Sequence, residues 1–314
     1  MIRYARGYSL LAGAVLLAAC ADSASRALAP DAAARVAGES NNGTGNVQGT
    51  LVYGLTSGGE LVTFTTAQPN RTVWSMPVSG LRTGDRLVGI DFRPSDLSAD
   101  GLNGIGRLYG VTSGVGGGSI YTIDPQTGAA TFATALVTAA GAPVVLAGAS
   151  FGVGFNPVVD RLRVHGAGEQ NFRINVDNGL TIVDASLAYL VGDAGAGAEP
   201  SVTGTAYRNS DADPATGTEL FAIDAARDVL VEFPPPGGAN GGQMATVGAL
   251  GVDTDLAVGF DIVGSASGVA YAALSESPSG KSTLYTIDLD TGEATRLGLL
   301  AQTTSPLVGI TVAP

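Results

Sequence analysis

The chain has 314 residues, 45% of them apolar, and a formal net charge of −12 at pH 7. Acidic residues outnumber basic ones 28 to 16, with Lys281 the single lysine, which argues against nucleic acid or anionic lipid headgroups as the main partner. The apolar fraction is ample for a core, and the 46 glycines separate patterned apolar runs, which favours many tight turns over low complexity.

The amino terminus has the layout of a secretory signal peptide. Residues 1–19 place Arg3 and Arg6 before an apolar run at 10–18, which is too short to cross a bilayer as a mature helix. The run ends in LAAC, which resembles a bacterial lipoprotein box, so we expect cleavage before Cys20 and lipidation of its thiol. The alternative is an ordinary leader with an incidental cysteine. Because Cys20 is the sole cysteine, an intrachain disulfide is excluded.

Lipidation at Cys20 would fix the protein to a membrane from outside the cytoplasm. Several acyl chains on one residue anchor stably, whereas one chain is marginal. The residue after Cys20 is Ala21 and not the aspartate of the common signal for retention in the inner membrane, which favours the outer membrane or cell surface. Asp22, one position further on, leaves the inner membrane open as the alternative. Residues 20–50 are predicted to form a flexible tether, and residues 51–314 a single domain.

An internal repeat organises that domain. Residues 119–131 (SIYTIDPQTGAAT) recur at 283–295 (TLYTIDLDTGEAT), with eight of thirteen positions identical. Degenerate copies lie at 170–179 and 219–224, and an eroded copy lies at 60–65. Repeats spread over most of the chain favour one repeat-built unit over two domains.

Short apolar runs separated by turn residues predict strands throughout the repeats. The predicted strands of the five units are 51–55, 61–64 and 74–76; 87–92, 107–112, 119–124 and 130–133; 151–156, 161–165, 172–176 and 180–183; 202–208, 219–223, 229–233 and 243–247; and 257–262, 269–274, 284–287 and 294–297. No segment of the domain has a convincing helical period, so almost no helix is expected.

The last strand predicts how the domain closes. Residues 307–312 (LVGITV) match the opening strands of units two and five (LVGIDF and AVGFDI), yet no unit follows them, and unit one lacks an opening strand. Pairing the C-terminal strand with unit one leaves no unpaired edge there. We therefore predict an all-β fold, a β-propeller-like ring of about five four-stranded blades closed by the C-terminal strand. A sixth blade that has lost the motif is the alternative.

One stretch carries a family resemblance. Residues 155–179 (FNPVVDRLRVHGAGEQNFRINVDNG), with the flanking GIDF, LYTIDLDTG and TVGALGVD, resemble a bacterial family known as domain of unknown function 4394. The resemblance covers residues 51–314. It implies a secreted or surface-anchored propeller-like protein, and it transfers no catalytic residues.

A basic cluster is one candidate ligand site. Arg161, Arg163 and His165 alternate with apolar residues and so share one face of a strand, and Arg173 and Asn175 do the same across the next hairpin. A guanidinium is suited to a carboxylate or a pair of sugar hydroxyls. The alternative is that Asp160, Glu169 and carboxylates of neighbouring blades pair these residues structurally.

Acidic turns raise the question of calcium. Asp211, Asp213 and Glu219 resemble a calcium loop most closely, but no run has the ligand spacing of an EF-hand, and such residues are more often plain turn formers. Residues 148–152 fit G-x-S-x-G without the strand-to-helix context of a nucleophile elbow. Calcium is thus the one metal considered, and no other cofactor is predicted.

The leading functional hypothesis is a lipid-anchored binding or scaffold protein without catalysis, recognising a glycan, a peptide or a partner protein of the envelope, and monomeric. The rival is an extracytoplasmic, glycan-active hydrolase using Asp91, Asp261 and Glu276 near the propeller axis. Against that, Asp91 and Asp261 occupy equivalent repeat positions, which suits a structural role. A structural envelope component without a small ligand is a third alternative.

Overall fold

The computed structural model describes residues 49–96, 106–264, 268–276, 280–300 and 302–312. The predicted signal peptide, Cys20 and nearly all of the predicted tether therefore lie outside the described residues. Within the described part of the chain, no helix has the length and apolar character needed to span a bilayer.

The fold is a five-bladed β-propeller, as predicted. Blade 1 contains β1 (Leu51–Thr56), β2 (Glu60–Thr65) and β3 (Gln68–Pro77). Blade 2 contains β4 (Arg86–Phe92), β5 (Leu108–Ser113), β6 (Ser119–Ile123) and β7 (Ala130–Ala135). Blade 3 contains β8 (Phe151–Asn156), β9 (Arg161–Gly166), β10 (Gln170–Ile174) and β11 (Thr181–Val183). Every strand of these blades pairs antiparallel with its sequence neighbour within the blade.

The remaining strands complete blades 4 and 5 and close the ring. Blade 4 contains β13 (Val202–Arg208), β14 (Glu219–Asp224), β15 (Val229–Glu232) and β16 (Gln243–Ala249), with the short β12 (Ala188–Tyr189) added in parallel to β16. Blade 5 contains β17 (Val258–Ile262), β18 (Ala270–Ser275), β19 (Ser282–Ile287) and β20 (Ala294–Leu299). The final strand β21 (Leu307–Val312) pairs with β1 and is the innermost strand of blade 1.

Helix is confined to two short turns in the described residues, a 3-10 turn at Pro94–Asp96 and a four-residue helix, α1, at Gly238–Gly241. This agrees with the lack of a 3.6-residue apolar period. The sequence pattern missed β12, because two residues are too few to show an alternation.

The innermost strands form the centre of the ring, in the order β4, β8, β13, β17, β21 and back to β4. They approach closely because glycines face the neighbouring blade. A Cβ on Gly89 would lie 2.3 Å from Val153, and one on Gly259 would lie 2.7 Å from the amide nitrogen of Ile310. Apolar side chains from adjacent blades fill the wedges further out and form the core. The axis itself is nearly filled, with a central void of about 10 Å³, room for one water molecule.

Candidate functional site

A cavity of about 500 Å³ opens where the inner strands end, at one mouth of the propeller axis. We call it the axial cavity. Its described lining residues come from the ends of β4, β8, β13, β17 and β21 and from the segments that follow: Asp91, Phe92, Pro94, Phe155, Tyr207, Ser210, Asp211, Asp261, Ile262, Val263, Gly264, Thr311 and Val312. The volume lies within the range of small-molecule sites.

Two half-buried carboxylates, Asp91 and Asp261, lie in this lining. Asp91 accepts a hydrogen bond from the amide of Phe155 on β8 at 2.6 Å. Asp261 accepts one from the amide of Val312 on β21, also at 2.6 Å. Each aspartate therefore holds the inner strand of the next blade, which is the repeated structural role expected from their equivalent positions.

Thr311 belongs to the same group of polar atoms. It stands in LVGITV where Asp91 stands in LVGIDF, and its hydroxyl donates to Asp91 at 2.9 Å. The amide of Ile262 donates to the second oxygen of Asp261 at 2.8 Å. Alignment of the repeats could have identified Thr311 as a site residue, but the sequence reasoning did not draw that inference.

Both carboxylates hold protons more tightly than a free aspartate does. Burial raises the pKa of Asp261 to about 6, against the opposing effect of the hydrogen bonds from Val312 and Ile262. Burial and then the nearby charge of Asp261 raise the pKa of Asp91 well above its usual range. The charge of Asp261 acts on Asp91, so the titration of Asp91 depends on the protonation of Asp261.

The walls of the axial cavity are mainly apolar, and several are fixed by packing. Phe92 and Phe155 are 4% and 3% exposed. Phe92 packs edge-on against Tyr53 with ring centroids 5.3 Å apart, and Phe155 packs in the same way against Tyr109 at 5.5 Å. These contacts fix two of the cavity walls in place.

A positive charge close to this mouth is committed to carboxylates outside the lining. Arg93, directly after Phe92, donates to Asp160 through Nε at 2.8 Å and to Asp177 through a terminal nitrogen at 2.7 Å. The Arg93 guanidinium lowers the pKa of Asp160. These bonds join blade 2 to blade 3. Sequence reasoning missed Arg93, since nothing in the local pattern shows which carboxylates it meets.

The predicted basic cluster is brought together, but much of it is buried against blade 4. Arg163 is 2% exposed and donates to Asp184 at 2.6 Å and to Asn240 at 2.6 Å. His165 is fully buried, contacts Thr205 at 3.0 Å and stacks on Phe233. Burial, and then the charge of Arg163, hold the pKa of His165 well below its usual range.

The rest of the basic cluster is partly exposed. Arg173 lies directly opposite Arg163 in the β9–β10 register and donates to Asp184 at 2.9 Å. Arg161 bonds to the carbonyls of Asp160 and Val159, and the Asn175 side chain accepts from the amide of Asp177. These contacts are structural, but the carboxylate that pairs Arg163 and Arg173 is Asp184, and Asp160 gives only its carbonyl to Arg161. The predicted ligand-binding role of the cluster stays a prediction.

The acidic loop considered for calcium is exposed. Asp211 accepts from the Asp213 amide at 2.9 Å and the Thr216 hydroxyl at 2.7 Å, which are turn contacts. Glu219 pairs with Arg208. Among the described residues, no group of three or more His, Cys, Asp or Glu is placed to hold a metal ion. Calcium binding stays a prediction.

Two further candidates lie elsewhere. Glu276 follows β18, and its carboxylate accepts a hydrogen bond from the Tyr285 hydroxyl. Asp261 pairs with Tyr271, five residues before Glu276, which separates the two acids by about 17 Å along the strand. Ser150 is buried directly before strand β8. A nucleophile elbow requires a helix after the serine, and here a strand follows instead.

Fold and cavity together define the chain as a five-bladed β-propeller with a cavity at one mouth of its axis. The walls of that cavity are largely apolar, and the charged residues in its described lining are acidic. Residues 60–311 match the family described as domain of unknown function (DUF4394), and the chain belongs to that family. No curated protein matches the chain in sequence.

Solved structures give weaker likenesses. The calcium-binding protein regucalcin from Agrobacterium tumefaciens strain C58 is 13% identical, with 84% of this chain and 75% of that chain covered and a TM-score of 0.42. Dihydro-heme d1 dehydrogenase NirN is 14% identical at a TM-score of 0.36; the match covers 80% of this chain but only 43% of NirN. A protein from Lactobacillus plantarum is 15% identical, covers 84% and 72%, and has a TM-score of 0.36. At these levels nothing about binding or activity passes to this chain.

Proposed function

We propose that this propeller is a lipid-anchored binding protein of the cell envelope, which recognises a glycan, a peptide or an exposed part of a partner protein without chemical conversion. The observation that carries the proposal is the axial cavity of about 500 Å³. Its fixed apolar walls and a few convergent polar groups are the usual composition of a ligand site.

The proposed location rests on the leader. The LAAC sequence before residue 21 supports lipidation at Cys20, and a tether of about 30 residues would hold the domain some 30 Å from the membrane on the random-coil estimate. Cys20→Ser tests this part alone. We expect the variant to leave the membrane fraction for the soluble extracytoplasmic fraction. An unchanged membrane fraction would contradict the lipid anchor without affecting the proposed binding role.

A thermal-shift screen of the full chain in detergent tests the binding role. Neutral oligosaccharides, amino sugars, short peptides and calcium are the probes, because a ligand that binds the native state alone raises the melting temperature by an amount that grows with the logarithm of its concentration above Kd. At least one organic probe is expected to raise it. If none does at millimolar concentration, the cavity is not a small-ligand site and the structural envelope role gains support.

The second candidate function is a glycan-active hydrolase. The observation that favours it is the interacting pair of Asp91 and Asp261 in an accessible cavity, since a carboxyl with a raised pKa holds a proton that it could donate. Against it, Asp91 already accepts hydrogen bonds from two other inner strands, and Asp261 accepts one from β21 and one from the adjacent Ile262 amide. Glu276 is remote from both. Release of reducing ends from oligosaccharides by the native chain, abolished in Asp91→Asn, would establish hydrolysis.

A further inference from the structure

The charges around the axial cavity indicate the chemistry of its ligand. We infer that the cavity binds an organic cation, with a primary ammonium group held between Asp91 and Asp261 and its apolar body against the surrounding walls. The inference rests on the proposed function, because it names the ligand class of the same cavity.

The first argument is the sign of the charge. The described lining contains three acidic residues, Asp91, Asp211 and Asp261, and among these described residues none is basic. Two arginines adjacent in sequence to lining residues pair with carboxylates outside the lining: Arg93, next to Phe92, pairs with Asp160 and Asp177, and Arg208, next to Tyr207, pairs with Glu219. A carboxylate or phosphate ligand would therefore meet only like charge, whereas a cation would relieve the repulsion between the two aspartates.

The second argument is hydrogen-bonding capacity. A cation bound at the two carboxyl groups favours their ionised forms, and two ionised carboxylates together offer about eight acceptor positions. At Asp91 they are used by the Phe155 and Phe92 amides and the Thr311 hydroxyl, and at Asp261 by the Val312 and Ile262 amides with Thr311 also in reach. Acceptor positions therefore remain on both residues. An ammonium group supplies three donors and no acceptor, which matches a site of acceptors, and charge-assisted bonds of this kind are the strong ones.

The third argument is the wall. Phe92, Phe155 and Tyr207 line the cavity and are each less than a tenth exposed. Aromatic side chains near a cation attract it through the negative face of the ring, and the attraction increases where water is excluded. Ile262, Val263 and Val312 add aliphatic surface for the body of the ligand. A hydrated metal ion would leave this apolar surface unused, whereas an alkyl- or ring-bearing amine would cover it.

Two sources could present such an ammonium group outside the cytoplasm: the lysine side chain or amino terminus of a peptide, and the amino group of an amino sugar. The shared chemistry is a primary ammonium next to a compact body. The test therefore compares a simple probe for that chemistry with one probe for each source.

Calorimetric titration of the full chain in detergent at neutral pH provides the test, with n-hexylamine, 1-hexanol and hexanoate as matched probes. We expect the amine to bind at least about tenfold more tightly than the alcohol, and the carboxylate not to bind. Glucosamine against N-acetylglucosamine, and a free against an acetylated lysine peptide, then identify the source. Equal affinity of hexylamine and hexanol, or binding of hexanoate, would overturn the inference.

Variants test the two carboxylates directly. Asp261→Asn and Asp91→Asn are each expected to weaken hexylamine binding about tenfold or more and to leave hexanol binding unchanged. The control is Asp290→Asn, an exposed turn aspartate that gives the same change in net charge away from the cavity. An equal effect of all three substitutions would reduce the finding to long-range attraction and contradict the site. If the cavity variants do not fold, the amine, alcohol and acid series on the native chain still decides.

The outcomes separate this inference from the proposed function. If neutral sugars or acetylated peptides bind and amines give no advantage, the axial cavity is a ligand site of a different chemistry, and only the cation inference fails. If no probe of any charge binds, both fail together.

Discussion

The hydroxyl of Thr311 donates to the carboxylate of Asp91 at 2.9 Å, although 220 residues separate them in sequence. Thr311 lies on the strand that closes the ring, and Asp91 lies on the inner strand of blade 2. The same bond therefore fastens the closure and orients one of the two acids of the axial cavity. Closure and site geometry are joined at this point.

Thr311→Val removes that hydroxyl while keeping the shape of the side chain. Asp91 would lose a donor, and the Phe92 amide would lose its 3.4 Å acceptor. We expect the free energy of unfolding to fall by about 1–2 kcal/mol, measured by urea denaturation with an unchanged slope. Thr295→Val on the exposed strand β20 is the control and is expected to be neutral. A Thr311 variant as stable as this control would contradict the role assigned to the bond.

Gly259→Ala tests the close approach of blades 5 and 1. The new methyl group would lie 2.7 Å from the Ile310 amide nitrogen and 2.8 Å from the carbonyl carbon of Gly309, so backbone has to move. Overpacking of this kind costs about 1–3 kcal/mol, and the melting temperature should fall accordingly. Gly116→Ala, where a Cβ meets nothing within 4 Å, should leave it unchanged. Equal melting temperatures of the two variants would show that the inner strands are less tightly packed than described.

The closure of the ring could be predicted from sequence because it depends on a repeat. The likeness of LVGITV to LVGIDF and AVGFDI identifies a strand without a unit, and a ring is the simplest arrangement that uses it. The same likeness made Asp91 and Asp261 equivalent, and the structure confirms the shared contact to the next blade. Information repeated along the chain was therefore sufficient for blade number and closure.

The environment of β9 could not be predicted in this way. Alternation correctly placed Arg163 and His165 on one face, but it does not say whether that face meets solvent or another blade. The answer depends on Thr205, Phe233 and Asn240, which lie 40 or more residues away in blade 4. The cavity is equally non-local, since its lining is assembled from the ends of strands in all five blades.

Arg93→Met tests the ion pairs between blades 2 and 3. The Arg93 side chain is 9% exposed and bonds to Asp160 and Asp177, which are 33% and 60% exposed. Because both acids keep contact with water, we expect a loss of about 2–3 kcal/mol, below the cost for a fully buried pair. Arg71→Met, which removes one exposed bond to Gln68, is the matched control and should cost little.

The Arg93 variant also has a pH signature. Arg93 lowers the pKa of Asp160, so its contribution to stability is complete above the pKa of an unfolded aspartate and is lost as the pH falls through the lower folded value. The difference between native chain and variant should therefore shrink in acid. A difference that stays constant down to the acid transition would mean that packing, and not the ion pair, accounts for the loss.

Asp261→Asn should change the pH dependence of stability in the direction opposite to that of Arg93→Met. The folded pKa of Asp261 is raised to about 6 from 3.8, so the folded state binds this proton more tightly than the unfolded state. The contribution of Asp261 is then largest below pH 3.8 and declines as the pH rises to about 6, by at most about 3 kcal/mol. Asparagine does not titrate, so the variant should gain stability relative to the native chain across this interval.

Denaturant unfolding of both proteins at several pH values between about 4 and 7 measures that change. The two proteins are compared by the slope of the free energy of unfolding against pH. The absolute stability is not compared, because asparagine loses one of the acceptors for Val312 and Ile262 at every pH. Asp91 and Asp211 also line the cavity, and without the charge of Asp261 the pKa of Asp91 should fall, which flattens the curve further. Asp290→Asn should run parallel to the native chain. Parallel curves for Asp261→Asn as well would show that Asp261 is ionised like a surface aspartate and that the cavity does not raise its pKa.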